Sequence, residues 1–394
     1  MAIAGRYDVI IVGGGACGCT TAYFLAAEGL SVGLLDKGSV GREASWASAG
    51  MVGPDTCPHR DPWFKHATRL SRELYDRLEN ELAEITGRRY AYGGDGALAF
   101  GITPAEEDAV NEVVAKQQAA GIDVHLLDGD AARRQEPLLS HKVIAAAWSP
   151  EARYVDARGY TASIAAAAQA RGAQILEGRP ATAMVWDGDR VIGVCSGDEE
   201  WHGGVVINCA GAWAGRIDDR LSHPVYPLHG QIMAIAAPPV NLRHNICRCG
   251  SWGYITPRPN GRVIVGATHD DWGFRKQVTP AGMGYLARVV ENVLPALSGQ
   301  TVLDVWCGLR PGTVDALPTV GPDPRVSSGY LWGTGHASSG MLQIPATAAV
   351  LVDLVMERDP ILPIDQLQFS RYLDGTYVAG AEPRTESGER FMSA

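Results

Sequence analysis

The sequence has little cysteine, no surplus of positive charge and no long apolar run, and each absence excludes a class of protein. Its eight cysteines in 394 residues show no framework spacing. This excludes a disulfide mini-protein and predicts free thiols in a reducing, cytoplasmic compartment. Lysine and arginine number 34 against 44 acidic residues, and the net charge of −10 disfavours a nucleic-acid partner. The apolar run at residues 7–12 is too short for a signal peptide or a membrane helix, so we expect a soluble chain with no transmembrane segment.

The remaining composition is that of an ordinary globular protein, with 46% hydrophobic and 20% charged residues. At about 100–200 residues per domain, the length predicts two or three domains. Mixed α/β patterns at both ends flank a β-rich stretch, which predicts a nucleotide-binding domain interrupted by a substrate domain. Apolar periodicity predicts helices over 59–86, 104–120, 157–171, 281–297 and 342–356. Asn260-Gly261, between two alternating runs, predicts a hairpin.

A dinucleotide fingerprint follows the first predicted strand. Residues 13–18 read GGGACG, which fits G-x-G-x-x-G between a strand and a helix. Gly13 permits the tight turn, Gly15 lets the backbone approach a pyrophosphate, and Gly18 lets the helix and strand pack closely. Asp36 ends the next strand, about 20 residues further on, where a carboxylate can bind ribose hydroxyls. With Ala16 opening the helix, these residues predict a dinucleotide site.

The segment at residues 41–51, GREASWASAGM, is rich in small and hydroxyl side chains that a nicotinamide fingerprint does not require. Here the sequence resembles the glycine oxidase and D-amino acid oxidase family of flavoproteins, in which such a segment runs along FAD. The resemblance recurs at 254–268 (YITPRPNGRVIVGAT), 308–321 (GLRPGTVDALPTVG) and 333–348 (GTGHASSGMLQIPATA). It spans about residues 6–370, and the sequence looks most like the bacterial glycine oxidase branch.

The resemblance implies a fold and a division into domains. The expected fold is α/β, with a Rossmann-like FAD-binding domain of the GR2 type and a discontinuous α+β substrate-binding domain built on an antiparallel sheet. The FAD-binding domain is expected over 1–87, 151–222 and 306–372, and the substrate-binding domain over 88–150 and 223–305. A polar tail is expected over 373–394.

The resemblance also implies which residues bind the cofactor, which is expected to be held without a covalent bond. Related sarcosine oxidases attach flavin through a cysteine in the stretch that contains Cys307, so a thioether there is the alternative. Trp252, Trp272 and Trp306 are candidates for lining the pocket. No metal site is expected, because Cys247-Arg248-Cys249 lacks a second ligand pair. Besides the fingerprint residues, the cofactor-binding residues expected are Lys37, Arg42, Ser45, Ala47, Ser48, Ala49, Gly50, Met51, Ala181, Ala210, Gly211, Trp213, Gly335, His336, Ser338, Ser339, Gly340 and Met341.

Two residues are expected to bind the substrate. The arginine of the G-L-R-P-G-T segment, Arg310, matches the residue that grips the substrate carboxylate in the family, and a guanidinium fork suits that role. Tyr254 matches the tyrosine that helps to bind the same carboxylate. After the glycine-histidine pair, glycine oxidases carry arginine and asparagine, whereas this chain has Ala337-Ser338-Ser339. The loss of a positive group at Ser338 leaves the identity of the substrate open.

The implied reaction transfers a hydride from the α-carbon of a small amino acid or N-substituted glycine to flavin N5. The resulting imine hydrolyses to an oxo acid and an amine or ammonia, and O2 or another acceptor reoxidises the flavin. The alternatives are a D-amino acid or secondary-amine dehydrogenase that uses a quinone, a flavin-dependent monooxygenase and a non-catalytic flavin-binding protein. No general base is expected if the amine arrives neutral. We also expect a homo-oligomer.

Overall fold

The computed structural model describes residues 2–53, 62–238, 242–250 and 253–377. Within these ranges the chain forms two large sheets and a small three-stranded one. The strands are β1 (Ala2–Val12), β2 (Val32–Leu35), β3 (Met51–Val52), β4 (Tyr92–Gly93), β5 (Ala97–Gly101), β6 (His125–Asp128), β7 (Ala145–Ser149), β8 (Arg153–Val155), β9 (Gln174–Leu176), β10 (Ala183–Asp187), β11 (Arg190–Ser196), β12 (Glu199–Asn208), β13 (Tyr226–Ala236), β14 (Asn245–Arg248), β15 (Tyr254–Arg258), β16 (Arg262–Gly266), β17 (Val302–Gly312), β18 (Thr319–Pro322) and β19 (Tyr330–Thr334). The α-helices are α1 (Ala16–Ala27), α2 (Ala44–Ala47), α3 (Pro62–Thr86), α4 (Pro104–Ala119), α5 (Gly129–Gln135), α6 (Ala157–Ala170), α7 (Pro280–Val293), α8 (Gly340–Val355) and α9 (Ser370–Leu373).

The first large sheet contains the predicted β-α-β unit. Its strand order is β10-β11-β12-β1-β2-β9, with β19 beside β12 and β18 beside β19. The pairings of β1 with β2 and β12, of β2 with β9 and of β12 with β19 are parallel. Residues 9–12 are at most 5% exposed. Val9 and Ile11 belong to the core cluster that includes helices α1, α6 and α8, whereas Ile10 and Val12 belong to a second cluster that includes Trp201 and Trp332. A strand buried on both faces explains the unbroken apolar run.

The second large sheet has the order β17-β13-β16-β15-β14-β5-β7-β6 and is antiparallel except where β14 pairs with β5. Helix α7 packs on it through Leu286, Val289, Val290 and Val293. The predicted hairpin is present, since Arg258 pairs with Arg262 across the turn at Asn260-Gly261. Gly261 has a φ of +75°, which a glycine adopts without strain. The mixed α/β fold with a second antiparallel sheet therefore confirms the expected fold class.

Strand β17 lies at the edge of the second sheet and ends beside the first half of the molecule. The expected domain boundary at 305/306 falls inside this strand, because the whole of β17 pairs with β13. The exposed part of the strand carries Val302, Leu303 and Val305. Further along, the indole of Trp306 donates to the carbonyl of Ala47, 3.1 Å away, at the end of α2. The strand therefore links the two parts of the molecule, and the division into domains stays a prediction.

Helix α8 has an interior proline that fixes how α3 packs against it. Pro345 has no N–H to donate to the carbonyl of Met341, one turn earlier. The hydroxyl of Tyr75, on α3, donates to that carbonyl at 2.8 Å, and the hydroxyl of Ser71 accepts from the amide of Ala346 at 3.2 Å. The segment 337–355 is apolar and long enough to cross a membrane by length and composition alone, but 67% of it is buried. In the structure it contains a core helix.

The predicted helices agree with the observed ones to within a few residues. Helix α4 begins at Pro104 after a Thr103 cap, and Glu106 completes the reciprocal capping box. Helix α3 begins at Pro62 and ends at Thr86. The first residues of the helix predicted over 59–86 lie outside the described part of the chain. Of the predicted tail, residues 373–377 are described, and 378–394 fall outside the described range.

Candidate active site

A continuous cavity of about 1480 Å³ lies between the two large sheets. It opens at the carboxyl ends of parallel strands β1, β2, β12 and β19, which is where α/β sheets bind their ligands. Every predicted cofactor- and substrate-binding residue except Gly18 and Gly335 lines it. These two glycines lie behind the cavity wall, where there is no room for a side chain. A Cβ at Gly18 would lie 2.0 Å from the carbonyl of Gly13, and one at Gly335 would lie 2.7 Å from Thr313.

The glycine turn fits a pyrophosphate. Gly13 has a φ of +106°, and a Cβ there would meet the backbone of Cys209 at 2.5 Å. At Gly15, which lines the cavity, an added Cβ has no atom nearer than 3.4 Å, so its missing side chain leaves space for a ligand. Helix α1 begins here with no side-chain cap and no acidic residue in its first turn. An uncapped helix N-terminus facing a cavity is suited to binding phosphate groups.

The carboxylate of Asp36 fixes the shape of this turn. One oxygen accepts from the Gly14 amide at 2.6 Å, and the other accepts from the Gly38 amide at 2.8 Å. Each carboxylate oxygen has a second lone pair for a hydroxyl donor. The next residue, Lys37, lies 3.2 Å from the ring centre of Trp213, at the same end of the cavity. The arrangement can accommodate a ribose, and the ribose-binding role of Asp36 stays a prediction.

The segment 44–51 forms a wall of the cavity, and its carbonyls are held from behind. The guanidinium of Arg258 donates to the carbonyl of Ala49, and Trp306 donates to that of Ala47. Burial lowers the pKa of Arg258 to about 10, so this side chain stays charged at neutral pH. Ser45 accepts from the Ala16 amide at 2.9 Å and so ties the wall to helix α1. Small side chains along this wall let backbone atoms approach a flat ring system.

The N-terminus of α8 closes the cavity opposite the glycine turn. His336 lines the cavity, and its Nε2 lies 3.0 Å from the hydroxyl of Thr347. Burial lowers the pKa of His336 to about 4, so it is neutral at pH 7. Ser338 is exposed toward the cavity, and Gly340 and Met341 continue its wall into the helix. The N-terminus of α8 therefore borders the cavity, and a helix N-terminus favours negative charge nearby.

The loop after β17 is tied down by a buried ion pair. Arg371 Nε donates to Asp315 Oδ2 at 2.6 Å, and both side chains are at most 5% exposed. The same guanidinium donates to the carbonyls of Leu317 and Pro318. Since Asp315, Leu317 and Arg371 all line the cavity, the pair fixes part of its wall. The described tail residues Thr376 and Tyr377 lie along the same wall.

Arg310 and Tyr254 meet at the substrate end of the cavity. The guanidinium of Arg310 lies across Gly230, where an added Cβ would be 2.2 Å from its Nη1. It donates to the carbonyl of Thr268 at 3.3 Å, and the hydroxyl of Tyr254 lies beside it. Burial raises the pKa of Tyr254, and the charges of Arg310 and Arg258 act against that shift. No carboxylate within the described ranges lies within ion-pair distance of Arg310. A half-buried cation with no anionic partner in a cavity is suited to binding an anion.

A buried polar network supports Arg310 from behind. Asp270 Oδ2 accepts from the Thr268 hydroxyl at 2.6 Å and lies 3.3 Å from His229 Nδ1 and 3.4 Å from Gln231 Nε2. Burial raises the pKa of Asp270, but the hydrogen bonds from His229, Thr268 and Gln231 outweigh it, so the net shift is downward. Asp270 is therefore a carboxylate at neutral pH, and it orients the Thr268 backbone on which Arg310 rests.

His269 lines the cavity next to Arg310 and is the residue that the sequence reasoning missed. Its Nε2 lies 3.5 Å from the hydroxyl of Ser338, at the position where the family arginine is absent. Burial, together with the charge of Arg310, lowers its pKa to about 3. A sequence signal for this residue exists, because side chains alternate between the two sides of the extended chain that continues beyond β16. Thr268 and Asp270 point into the buried network, so the residue between them faces the opposite side.

Other candidates take structural positions. Cys307 is on β17 but is not among the cavity-lining residues, and burial raises the pKa of its thiol. Trp306 is core, and Trp272 packs against His229 with ring centres 4.8 Å apart; neither is among the cavity-lining residues. Trp252 lies outside the described residues. In the described ranges no group of three or more His, Cys, Asp or Glu side chains could hold a metal ion, and seven cysteines are free thiols.

Comparison with known proteins places this site in a family. Residues 8–354 match the family described as FAD dependent oxidoreductase (DAO). The glycine oxidase of Bacillus subtilis is 30% identical over 364 residues, which cover 90% of this chain and 94% of that protein. The crystal structure of glycine oxidase from Geobacillus kaustophilus superposes with a TM-score of 0.88 at 28% identity, covering 93% of this chain and 99% of that one. That of iminodiacetate oxidase from Chelativorans sp. BNC1 gives a TM-score of 0.82 at 27% identity, with 91% and 98% covered.

The family match and the geometry agree on the cofactor. The uncapped helix N-terminus, the Asp36 turn and the small-residue wall all fit FAD, and Arg310 lines the same cavity. The chain therefore belongs to the DAO family of FAD-dependent oxidoreductases and is an amine or amino-acid oxidoreductase with FAD as its cofactor.

Proposed function

We propose that the protein oxidises a small α-amino acid or N-substituted glycine that carries a single carboxylate. The observation that carries this proposal is the position of Arg310, a half-buried cation without a carboxylate partner among the described residues. Its fork and the Tyr254 hydroxyl together offer donors to both oxygens of one carboxylate. Holding the carboxylate in this way directs the α-carbon toward the wall at 44–51, where the flavin ring is expected.

The chain's own residues supply binding and orientation. When bound, FAD supplies the acceptor for the hydride that leaves the α-carbon. The nitrogen lone pair then forms the second C–N bond of an imine, and water converts the imine into an oxo acid and an amine or ammonia. The buried network behind Arg310 keeps the carboxylate anchor fixed. Positioning of this kind is where a protein contributes most when the cofactor carries out the chemistry.

A substrate with one carboxylate is favoured over one with two, because the other cations near that end are occupied. Arg248 also lines the cavity, and its Nη2 lies 2.7 Å from Glu106 Oε1. Arg371 is paired with Asp315, and Ser338 carries no charge. A second carboxylate would have to leave water without a cationic partner, which is costly. We therefore expect glycine, sarcosine or a small D-amino acid to be preferred to iminodiacetate.

The test is reduction of the bound flavin without oxygen. The FAD-loaded protein is mixed anaerobically with glycine, sarcosine, iminodiacetate, D-alanine and D-proline, and bleaching of the flavin absorbance is followed. We expect at least one monocarboxylate amine to bleach the wild type, and the Arg310→Met variant to need a far higher concentration of it. Admitting air then separates an oxidase from a dehydrogenase that passes electrons to a quinone. Bleaching by iminodiacetate alone would contradict the proposal, as would a yellow protein that none of the amines bleaches.

Assembly and location are proposals too. We propose a homo-oligomer with its interface on the exposed faces of α3 or α4, in the cytoplasm. Light scattering of the FAD-loaded protein measures the assembly state, and a monomeric mass would refute the first part. Fractionation of the source cells tests the second.

A further inference from the structure

His269 occupies a place in the site that the binding of a carboxylate leaves unexplained. It directly follows Thr268, whose carbonyl accepts from Arg310 at 3.3 Å. Because the chain is extended here, with Asp270 bridged to His229, the side chains of Thr268 and Asp270 point into the buried network. The imidazole between them faces the cavity, beside Ser338. The residue is thus next to the anion site, on the cavity side.

The imidazole in this position presents a hydrogen-bond acceptor beside a cation. Burial and the charge of Arg310 hold its pKa near 3, with the nearby Asp270 and the carbonyl of Ala267 acting in the opposite direction. A neutral imidazole has one N–H and one lone pair. Nδ1 is buried, and the hydrogen bond of the ring with the carbonyl of Ala267 favours the tautomer with the proton on Nδ1 and the lone pair on Nε2, the atom 3.5 Å from the Ser338 hydroxyl. The cavity therefore contains an anion site and a neutral acceptor side by side.

An α-amino carboxylate has the complementary pattern, with an anion and an N–H donor two bonds apart. Its carboxylate needs the cation of Arg310, and its nitrogen needs an acceptor. A carboxylate lacking the nitrogen would satisfy Arg310 and leave the acceptor unused. Among the uncharged cavity-lining side chains beside Arg310, the imidazole of His269 carries a nitrogen lone pair.

We infer that His269 recognises the nitrogen of the substrate, accepting a hydrogen bond from its N–H while Arg310 holds the carboxylate. This inference rests on the proposed function and deepens it. The residue fixes the amine about the axis from the carboxylate to the α-carbon, and so turns the α-hydrogen toward the flavin. It acts as a specificity-determining residue, and the proton balance of the reaction is unchanged by it. The Ser338 hydroxyl holds the ring in place.

The experiment compares isosteric ligands on the FAD-loaded protein under anaerobic conditions. The pairs are glycine with propionate, sarcosine with butyrate and D-alanine with isobutyrate, which differ by nitrogen in place of carbon. Half-saturating concentrations come from the bleaching rate for ligands that reduce the flavin, and from the shift of the flavin spectrum for those that do not. The ratio within each pair measures how strongly the site prefers the nitrogen.

Two variants separate recognition from folding. His269→Leu removes the acceptor at similar volume, and His269→Gln restores an acceptor near the position of Nε2. We expect His269→Leu to reduce the preference for the amine about fivefold to tenfold, as loss of one hydrogen bond does, with affinity for the carbon ligand changed by less than about twofold. His269→Gln should recover most of the preference. FAD content of each variant, measured after gel filtration, reports whether the site is intact.

The possible results distinguish the role of His269 from the proposed function. Equal weakening of both members of a pair, or an unchanged ratio in His269→Leu, would refute the role of His269 and leave the proposed function standing. A wild type that prefers the amine but is not reduced by it would refute the proposed function, and loss of that preference in His269→Leu would still support the role of His269. A wild type with no preference for any amine refutes the role of His269 directly.

Discussion

The carbonyl of Met341 allows a quantitative test of how the cavity wall is held. This carbonyl has no helical donor, because Pro345 lacks an N–H, and the hydroxyl of Tyr75 replaces that donor at 2.8 Å. Tyr75 is fully buried and Met341 is 5% exposed, so water cannot take over. The change Tyr75→Phe leaves a buried acceptor without a partner, at a cost of about 1–3 kcal/mol in the free energy of unfolding.

A second substitution supplies the matched control. Pro345→Ala provides an N–H at the position where a regular helix would donate to Met341. In that background Tyr75→Phe should cost less than about 0.5 kcal/mol, because the carbonyl keeps a donor. The coupling energy between the two substitutions is therefore expected to be about 1–2 kcal/mol.

Urea unfolding of the FAD-loaded protein, followed by circular dichroism and by release of flavin fluorescence, measures the four variants. Denaturant is preferable to heat, because at about 2.1 cal/mol/K per residue a 394-residue chain shifts its Tm by only about 1 °C per kcal/mol. If Tyr75→Phe costs the same with and without Pro345, the hydroxyl stabilises the fold by some route other than this carbonyl, and the explanation of α8 is wrong.

Three further outcomes follow from contacts in the site and its support. Arg310→Met should lower kcat/KM for the best amine at least about a hundredfold, because charge-assisted hydrogen bonds to a carboxylate are lost, whereas Arg310→Lys should lose less; steady-state kinetics measures both. Arg371→Met leaves Asp315 buried without its cation, so unfolding by urea should show a loss of about 3–5 kcal/mol, and an unchanged midpoint would contradict the ion pair. Burial, with Arg371 and Arg325, lowers the pKa of His223 to about 3, and its Nδ1 accepts from the Val225 amide. Below pH 6.5 the unfolded chain takes up a proton that the folded chain does not, so stability falls by up to about 1.4 kcal/mol per pH unit down to about pH 3. His223→Gln should flatten that slope in unfolding curves taken from pH 7 to pH 4, and an unaltered slope would exclude His223 as its cause.

The first part of the fold was predictable because its signals are local. The apolar run ending at Val12, the glycine turn and Asp36 lie within about 30 residues of one another, and each has one structural interpretation. The hairpin at Asn260-Gly261 is local in the same way. The parallel pairing of Ala97 with Asn245 is not, since nothing in either short strand identifies a partner that far away.

The residues of the candidate site likewise differ in whether a local sequence motif could identify them. Arg310 and Tyr254 were found through family motifs, and the structure places them together. His269 stands one residue beyond such a motif, and in isolation a histidine after a strand is compatible with core or solvent. Its orientation depends on the buried Asp270 network, which forms only when β13 and β16 are paired. The ion pair of Arg371 was missed because its partner is 56 residues away.

Strand β17 runs from the wall expected to bind FAD to the proposed substrate anchor, so the binding of FAD and the binding of the carboxylate can be thermodynamically coupled. Trp306, near its middle, donates to the carbonyl of Ala47 in the wall at 44–51, and Arg310, four residues later, is the residue proposed to bind the carboxylate. A ligand that fixes one end of this strand reduces the freedom of the other. Thermodynamic reciprocity then requires that the factor by which a bound carboxylate tightens FAD equals the factor by which FAD tightens the carboxylate. If a bound carboxylate tightens FAD, a carboxylate that is not itself oxidised would still slow the dissociation of FAD from the protein.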